Sequence, residues 1–187
     1  TWVERAWVSS DPEARREVDA LPGGSMIFRK SDFDWLGGFN ETLSAGEDDE
    51  ICSRMREAGK RVIANPRCYV THLGYPERLT GVLRRQVWHG SNQLDVVESR
   101  FDRQLILTHM FTVGLAVSSS GAIASSMSLI HFGLVMQAVP AVAFMVGKLR
   151  RRNRRIVLVL QLTVIAWFFY LGRSIGLLRN YGRRTFG

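Results

Sequence analysis

The spacing of hydrophobic and polar positions divides the chain into two regimes. Across residues 105–147 there is no Lys, Arg, Asp or Glu, and His109 and His131 are the only ionisable side chains. At 1.5 Å per residue, about 40 helical residues suffice for two crossings of a ~30 Å hydrocarbon core. The run therefore predicts a helical hairpin, turning in the small polar stretch SSSGAIASSMS (118–128). A third apolar run, IVLVLQLTVIAWFFYLG (156–172), lies near the lower length limit for a span, and Arg173 can snorkel at its end. The candidate spans are 105–126, 129–147 and 156–173. The competing reading, three buried core helices, requires more chain to wrap them than the N-terminal part supplies.

The first hundred residues are mixed, charged and punctuated by glycines. LPGGSMIF (21–28) reads as a Gly-rich loop entering a short strand, and Ser31 as the N-cap of a brief helix that Gly37 and Gly38 end. Ile51, Met55 and Ala58 fall at i, i+4, i+7, predicting a helix over 47–58 with Gly59 as its C-terminal cap. Strand candidates follow at 61–64 and 68–72. This order suits an α/β or α+β layer but offers too few strands for an independent sheet. In 77–104, Leu79, Val82, Leu83 and Val87 form one helical stripe and Leu94, Val97 and Phe101 a second, with Arg84, Arg85, Arg100 and Arg103 around them. Two readings stand for these amphipathic helices: lying on an anionic membrane surface, or packing against the rest of the chain.

Charge sharpens the topology. The 187 residues carry a formal net charge of +8, and the densest basic run, KLRRRNRR (148–155), directly follows the second apolar segment. The positive-inside rule places that run in the cytoplasm, and with it the N-terminal part that precedes the first crossing. A third crossing would put the basic RNYGRR (179–184) outside, against the rule, which keeps a tilted or re-entrant third segment open. Because the basic run serves as a topology signal, nucleic-acid binding is not expected. Cys52 and Cys68 form no CxxC pair and read as small buried hydrophobes in a reducing compartment. The start at Thr1 and the lack of a signal peptide suggest a fragment whose N-terminal part lies elsewhere.

The chemistry concentrates in GEDDEICSRMREAG (46–59), where four acidic residues open the predicted helix. Carboxylates there meet the positive end of the macrodipole, so solvation and capping explain them as readily as a base or metal ligand does. The longer run from Leu21 to Gly74 resembles the C-terminal half of the catalytic domain of family 2 glycosyltransferases, GT-A fold enzymes that transfer sugars from nucleotide-activated donors with inversion. The resemblance covers roughly 21–90. It rests on the Gly-rich loop (Gly23, Gly24, Ser25), the GGFNE turn, the ED pair (Glu47, Asp48), the closing Gly59 and His72, in that order.

The resemblance implies that Asp48 is the general base and that Glu47 orients the acceptor or the base. Glu50 would support the substrate site from one turn along, and Asp49 would face solvent. Gly23, Gly24 and Ser25 would lie near acceptor and donor sugar. His72 would contact a divalent metal, Mn²⁺ or Mg²⁺; without the resemblance it reads as a capping or core histidine. RRQVWHG (84–90) loosely resembles the QxxRW element, making Arg85 and Trp88 substrate-side candidates. Trp88 alternatively anchors its helix at an interface. The nucleotide-binding half, with the DxD motif that would hold most of the metal, has no counterpart. The string Asp32, Phe33, Asp34 reads as helix-start acidity.

The expected fold class is α/β: a partial GT-A domain (1–76), amphipathic interfacial helices (77–104) and an α-helical transmembrane region (105–187) with a cytoplasmic basic loop (148–155). The expected function is a membrane-anchored inverting glycosyltransferase of the cell (inner) membrane, its catalytic part facing the cytoplasm. Its partners would be a nucleotide-sugar donor, a lipid-linked or envelope glycan acceptor and membrane lipids. The rival is a non-catalytic membrane protein with a truncated, glycosyltransferase-like docking domain.

Overall fold

The computed structural model describes residues 1–7, 14–43, 46–68, 70, 74–96, 102–149 and 156–186. The chain forms two compact units, Ser10–Gly74 and Thr1–Ser9 with Tyr75–Gly187.

The first unit holds strand β1 (Arg16–Glu17), a 3-10 turn (Gly23–Ser25), helices α2 (Lys30–Trp35) and α3 (Glu47–Glu57), and strand β2 (Ile63–Ala64). Both helices end as their glycines require. Gly37 (φ 81°) donates to Asp34 O and Gly38 to Phe33 O, while Gly59 (φ 71°) donates to Arg56 O and Lys60 to Met55 O. Each pair closes a Schellman cap around a left-handed residue that only glycine adopts freely. The rings of Phe28, Phe33 and Phe39 pack together with centroids 5.4–6.2 Å apart.

Several local expectations change. Ser31 sits inside α2; Arg29 is the N-cap residue, with no side-chain cap bond. Met26 is extended, yet no strand forms over 26–28 among the described residues. The strand expected over 61–64 shrinks to two residues, paired antiparallel with β1 in the register Arg16↔Ala64 and Glu17↔Ile63. β1 escaped the sequence pattern because both of its residues are exposed and no apolar alternation marks them. The other strand candidate begins in a turn, where Cys68 donates to Asn65 O at 2.9 Å; residues 69 and 71–73, His72 included, lie outside the described residues. Cys52 is buried as expected, but Cys68 is exposed. The unit is thus mostly helical with little sheet.

The second unit is helical: α1 (Trp2–Trp7), α4 (Leu79–Gly90), α5 (Gln93–Val96), α6 (Arg103–Ile123), α7 (Met127–Leu149) and α8 (Ile156–Phe186). The last three contain segments long and apolar enough to cross a membrane. Asp102 caps α6, its carboxylate accepting from Leu105 N–H at 2.7 Å. α6 and α7 form the expected hairpin. Small residues let their backbones touch: a Cβ on Gly114 would stand 2.8 Å from Gly133 O, and one on Gly121 2.7 Å from Ile130 N. Gln137 Nε2 donates to Ser118 Oγ across the pair at 3.0 Å. The turn is a Schellman cap built on Ser125, which takes φ 52° without being glycine.

α8 runs 13 residues past the expected end at 173, because its C-terminal half is held by α4. Gly172 lies against Leu83 O, and Gly176 against Val87 O and the Gly90 backbone, so both helices run in the same direction at backbone contact. Polar groups pin the seam. Arg173 Nε donates to Gln86 Oε1 (2.9 Å), Asn180 to Ser91 O (2.7 Å), Arg183 also to Ser91 O, and Arg184 to Leu94 O (2.9 Å). For α4, then, packing is observed along Val82, Gln86 and Gly90, while Arg84, Arg85 and Trp88 stay exposed. At α1, Val3 and Ala6 are buried with Val82, Leu162 and Ile165. Lys148 Nζ reaches Trp7 O at 2.7 Å.

Candidate active site

Gly46, at φ 84°, turns the chain into α3 in a left-handed conformation, and its carbonyl accepts the Glu50 N–H at 3.0 Å. The four carboxylates of the first turn then separate by environment. Glu47, Asp48 and Glu50 are half-buried, and Asp49 is exposed.

Asp48 is held from two sides: its Oδ2 accepts the Gly23 N–H at 3.0 Å and its Oδ1 the Asp49 N–H at 3.0 Å. A Cβ on Gly23 would lie 3.5 Å from Asp48 Cβ. The Gly-rich loop and the acidic helix start, 25 residues apart in sequence, thus meet at one oriented carboxylate. Such a group has oxygen lone pairs left for a hydroxyl proton. Beneath it, Cys52 is buried and hydrogen-bonded to the Leu21 backbone. Burial pushes its thiol pKa up; the Leu21 bond opposes that shift, and the charges of Asp49 and Asp48 add to it.

Glu50 faces inward to Arg54, not outward. Arg54 Nε and Nη2 donate to the two Glu50 oxygens (2.6 and 2.7 Å), and Nη1 and Nη2 donate to Leu36 O (2.6 Å) and Gly38 O (2.8 Å). The bond from Glu50 is the main cause of a raised Arg54 pKa. The guanidinium fork ties α3 to the glycine turn after α2. Arg54 was passed over in the sequence, although Glu50 and Arg54 at i, i+4 on a predicted helix are a legible pair. Gly46 and Gln86 were missed as well. The first could have been suspected from a glycine directly before a helix start; nothing in the α4 pattern marks a buried glutamine.

Asp32, in the first turn of α2, pairs with Lys60 at 3.1 Å, and Asp34, near the end of that helix, pairs with Lys30 at 2.6 Å. Among the described residues no group of three or more His, Cys, Asp or Glu side chains comes together to hold a metal. Arg85 and Trp88 belong to α4 in the helical unit, where Trp88 packs on His89 with centroids 4.8 Å apart.

A family profile described as the N-terminal domain of galactosyltransferase matches residues 4–79, the stretch that contains Gly23, Asp48 and the Arg54 fork. Curated relatives include the Pre-mycofactocin glycosyltransferase of Mycobacterium tuberculosis in two strains, CDC 1551 / Oshkosh and ATCC 25618 / H37Rv. Each is 26% identical over 170 residues, covering 88% of this chain and 34% of the relative. No solved structure matches. Residues 4–79 therefore resemble a glycosyltransferase-family domain, and the helices α6, α7 and α8 that follow are long and apolar enough to span a membrane. It spans about a third of the length of the curated relatives it matches.

Proposed function

We propose that this chain is the acceptor-and-base part of a membrane-anchored, inverting glycosyltransferase related to family 2. Its N-terminal unit would be the C-terminal portion of a GT-A domain, whose main sheet and nucleotide-binding half lie in chain outside this segment. The observation that carries the reading is the Gly23 N–H bond to Asp48, which joins the two motif elements at one half-buried carboxylate.

In the reaction, Asp48 takes the proton of an acceptor hydroxyl as that oxygen attacks C1 of the donor sugar. The new C1–O bond forms opposite the breaking bond to the nucleoside diphosphate, which departs, and the anomeric configuration inverts. Glu47 is placed beside Asp48 to orient the acceptor. Arg54 and Glu50 hold α3 in position. A Mn²⁺ or Mg²⁺ ion, held mainly by the nucleotide-binding half with His72 as a candidate contact, would offset charge on the leaving diphosphate. The apolar helices support a site at the cytoplasmic face of the cell membrane and a lipid-linked or envelope glycan acceptor. The relatives' name makes pre-mycofactocin the second acceptor to offer.

The test is sugar transfer by the full-length protein in membranes supplied with Mn²⁺ or Mg²⁺. Asp48→Asn keeps an acceptor oxygen for Gly23 but loses the base, and transfer should fall by about 10²–10⁴-fold with unchanged membrane insertion. Undiminished turnover would remove Asp48 from the mechanism.

A further inference from the structure

Length and apolarity alone admit α8 as a third span, yet its contacts give it a different course. In the hairpin, Gly114 faces Met136 and Gln137, Ser118 faces Gly133, and Gly121 faces Ile130. The turn at Ser125 is therefore one end, and Arg103 and Lys148 mark the other, the base.

The described side-chain contacts of α8 with the hairpin fall in the half of it nearer that base. Thr163 Oγ1 meets Met145 Sδ (3.8 Å), the Phe169 ring packs on Phe144 (4.9 Å), and Tyr170 stacks on Phe111 (5.6 Å). Further along, Ser174 bonds to Thr112 (2.7 Å) and the Tyr181 hydroxyl to His109 Nε2 (2.8 Å). At 1.5 Å per residue those hairpin partners sit about 4–14 Å above the base, while α8 advances about 27 Å from Thr163 to Tyr181. Tyr170, one residue from the midpoint of the 31-residue helix, helps line a cavity of about 430 Å³ with Asp102, Arg103, Gly147 and Lys148. A third crossing would bring an end of α8 to the base. Here its middle is there.

We infer that α8 does not cross the bilayer but lies crosswise at the base of the α6–α7 hairpin, seated in the interfacial layer of the cytoplasmic leaflet with α4 alongside. The inference rests on the membrane reading proposed above. The leaflet is the occupant its surface fits. Leu160, Val164, Trp167 and Leu178 are exposed on α8, as Val139, Val142 and Val146 are on α7. Arg84, Arg85, Arg103 and Arg179 are exposed cations suited to anionic headgroups. This course also removes the conflict in the sequence. With α8 crosswise, Arg179, Arg183 and Arg184 share the side of Lys148 and Arg103, and the uncharged turn alone is translocated.

The experiment labels introduced cysteines with a membrane-impermeant maleimide in the full-length, Cys68→Ser background, where the remaining Cys52 is buried, on intact cells and after lysis, with the background protein as the control. The positions are Ser125→Cys at the hairpin turn, Thr185→Cys near the end of α8, and Lys30→Cys in the N-terminal unit. The expected result is Ser125→Cys labelled equally before and after lysis, with Thr185→Cys and Lys30→Cys labelled only after it. Labelling of both Ser125→Cys and Thr185→Cys on intact cells would overturn the crosswise helix and leave the anchor standing. Protection of Ser125→Cys until lysis would overturn the two-crossing anchor and the crosswise helix with it.

Discussion

Removing the Arg54 guanidinium should loosen α3 selectively, and the size of the effect follows from its partners. Arg54 donates four hydrogen bonds, two to Glu50 and one each to Leu36 O and Gly38 O, all 2.6–2.8 Å. Its side chain and that of Glu50 are 26% and 16% exposed. A hydrogen bond to a charged group contributes about 1.5–3 kcal/mol, so the two carbonyl bonds alone bound the effect at ~3–6 kcal/mol. Water replaces part of that at a half-buried site, and an ion pair with such access adds under ~1 kcal/mol. We expect Arg54→Ala to cost about 2–3 kcal/mol. Arg54→Lys should recover less than half of this, because a single ammonium cannot reach Glu50 and both carbonyls together. The assay is amide hydrogen exchange on the full chain in detergent. A loss of 2–3 kcal/mol raises the opening equilibrium roughly 30- to 150-fold, which should appear across α3 and at Gly37 and Gly38 with α6–α7 unchanged as the internal control. Wild-type protection of α3 in Arg54→Ala would refute the clamp.

Two further outcomes test other parts of the fold. Burial raises the Cys52 pKa above its ordinary 9.0, so the folded state holds that proton more tightly than the unfolded chain does. The corresponding stability is complete below pH 9 and drains away as pH rises through the folded value. Melting curves should therefore show an alkaline loss that Cys52→Ala lacks, and alkylation at neutral pH should modify Cys68 and spare Cys52. In the helical unit, a Cβ at Gly172 would stand 2.6 Å from Leu83 O and 2.7 Å from Gln86 Cβ. Gly172→Leu should destabilise the α4–α8 seam by at least ~1–3 kcal/mol, read as a lowered melting temperature with lost amide protection in α4; an unchanged melt would show that the helices part without cost.

What was legible in the sequence was local. The helix over 47–57 and the glycines that close it follow from a 3.6-residue period and from φ > 0, which any reader of the chain can apply. The hairpin follows from the absence of charge. The strands failed because a strand is defined by its partner: Ile63 and Ala64 pair with Arg16 and Glu17, which carry no apolar signal. Ser31 is a reasonable cap by residue type, but the N-cap falls two residues earlier, at Arg29, and leaves Ser31 in the first turn. At the site, the carboxylate and the glycine loop were each visible, whereas their bond across 25 residues was not. The course of α8 was the least legible feature, since it depends on Arg173, Asn180 and Gly176 meeting α4 residues about 90 positions earlier.

That separation has a consequence during synthesis. α4 leaves the ribosome with Val82, Gln86 and Gly90 facing outward, and the helix that covers them is made only after the whole hairpin has emerged. At about 5–20 residues per second, the delay is roughly 4–18 s. For that interval α4 needs a temporary cover, and a chain interrupted before Gly172 would keep its N-terminal unit and its hairpin while exposing a bare seam to the quality-control machinery of the cell.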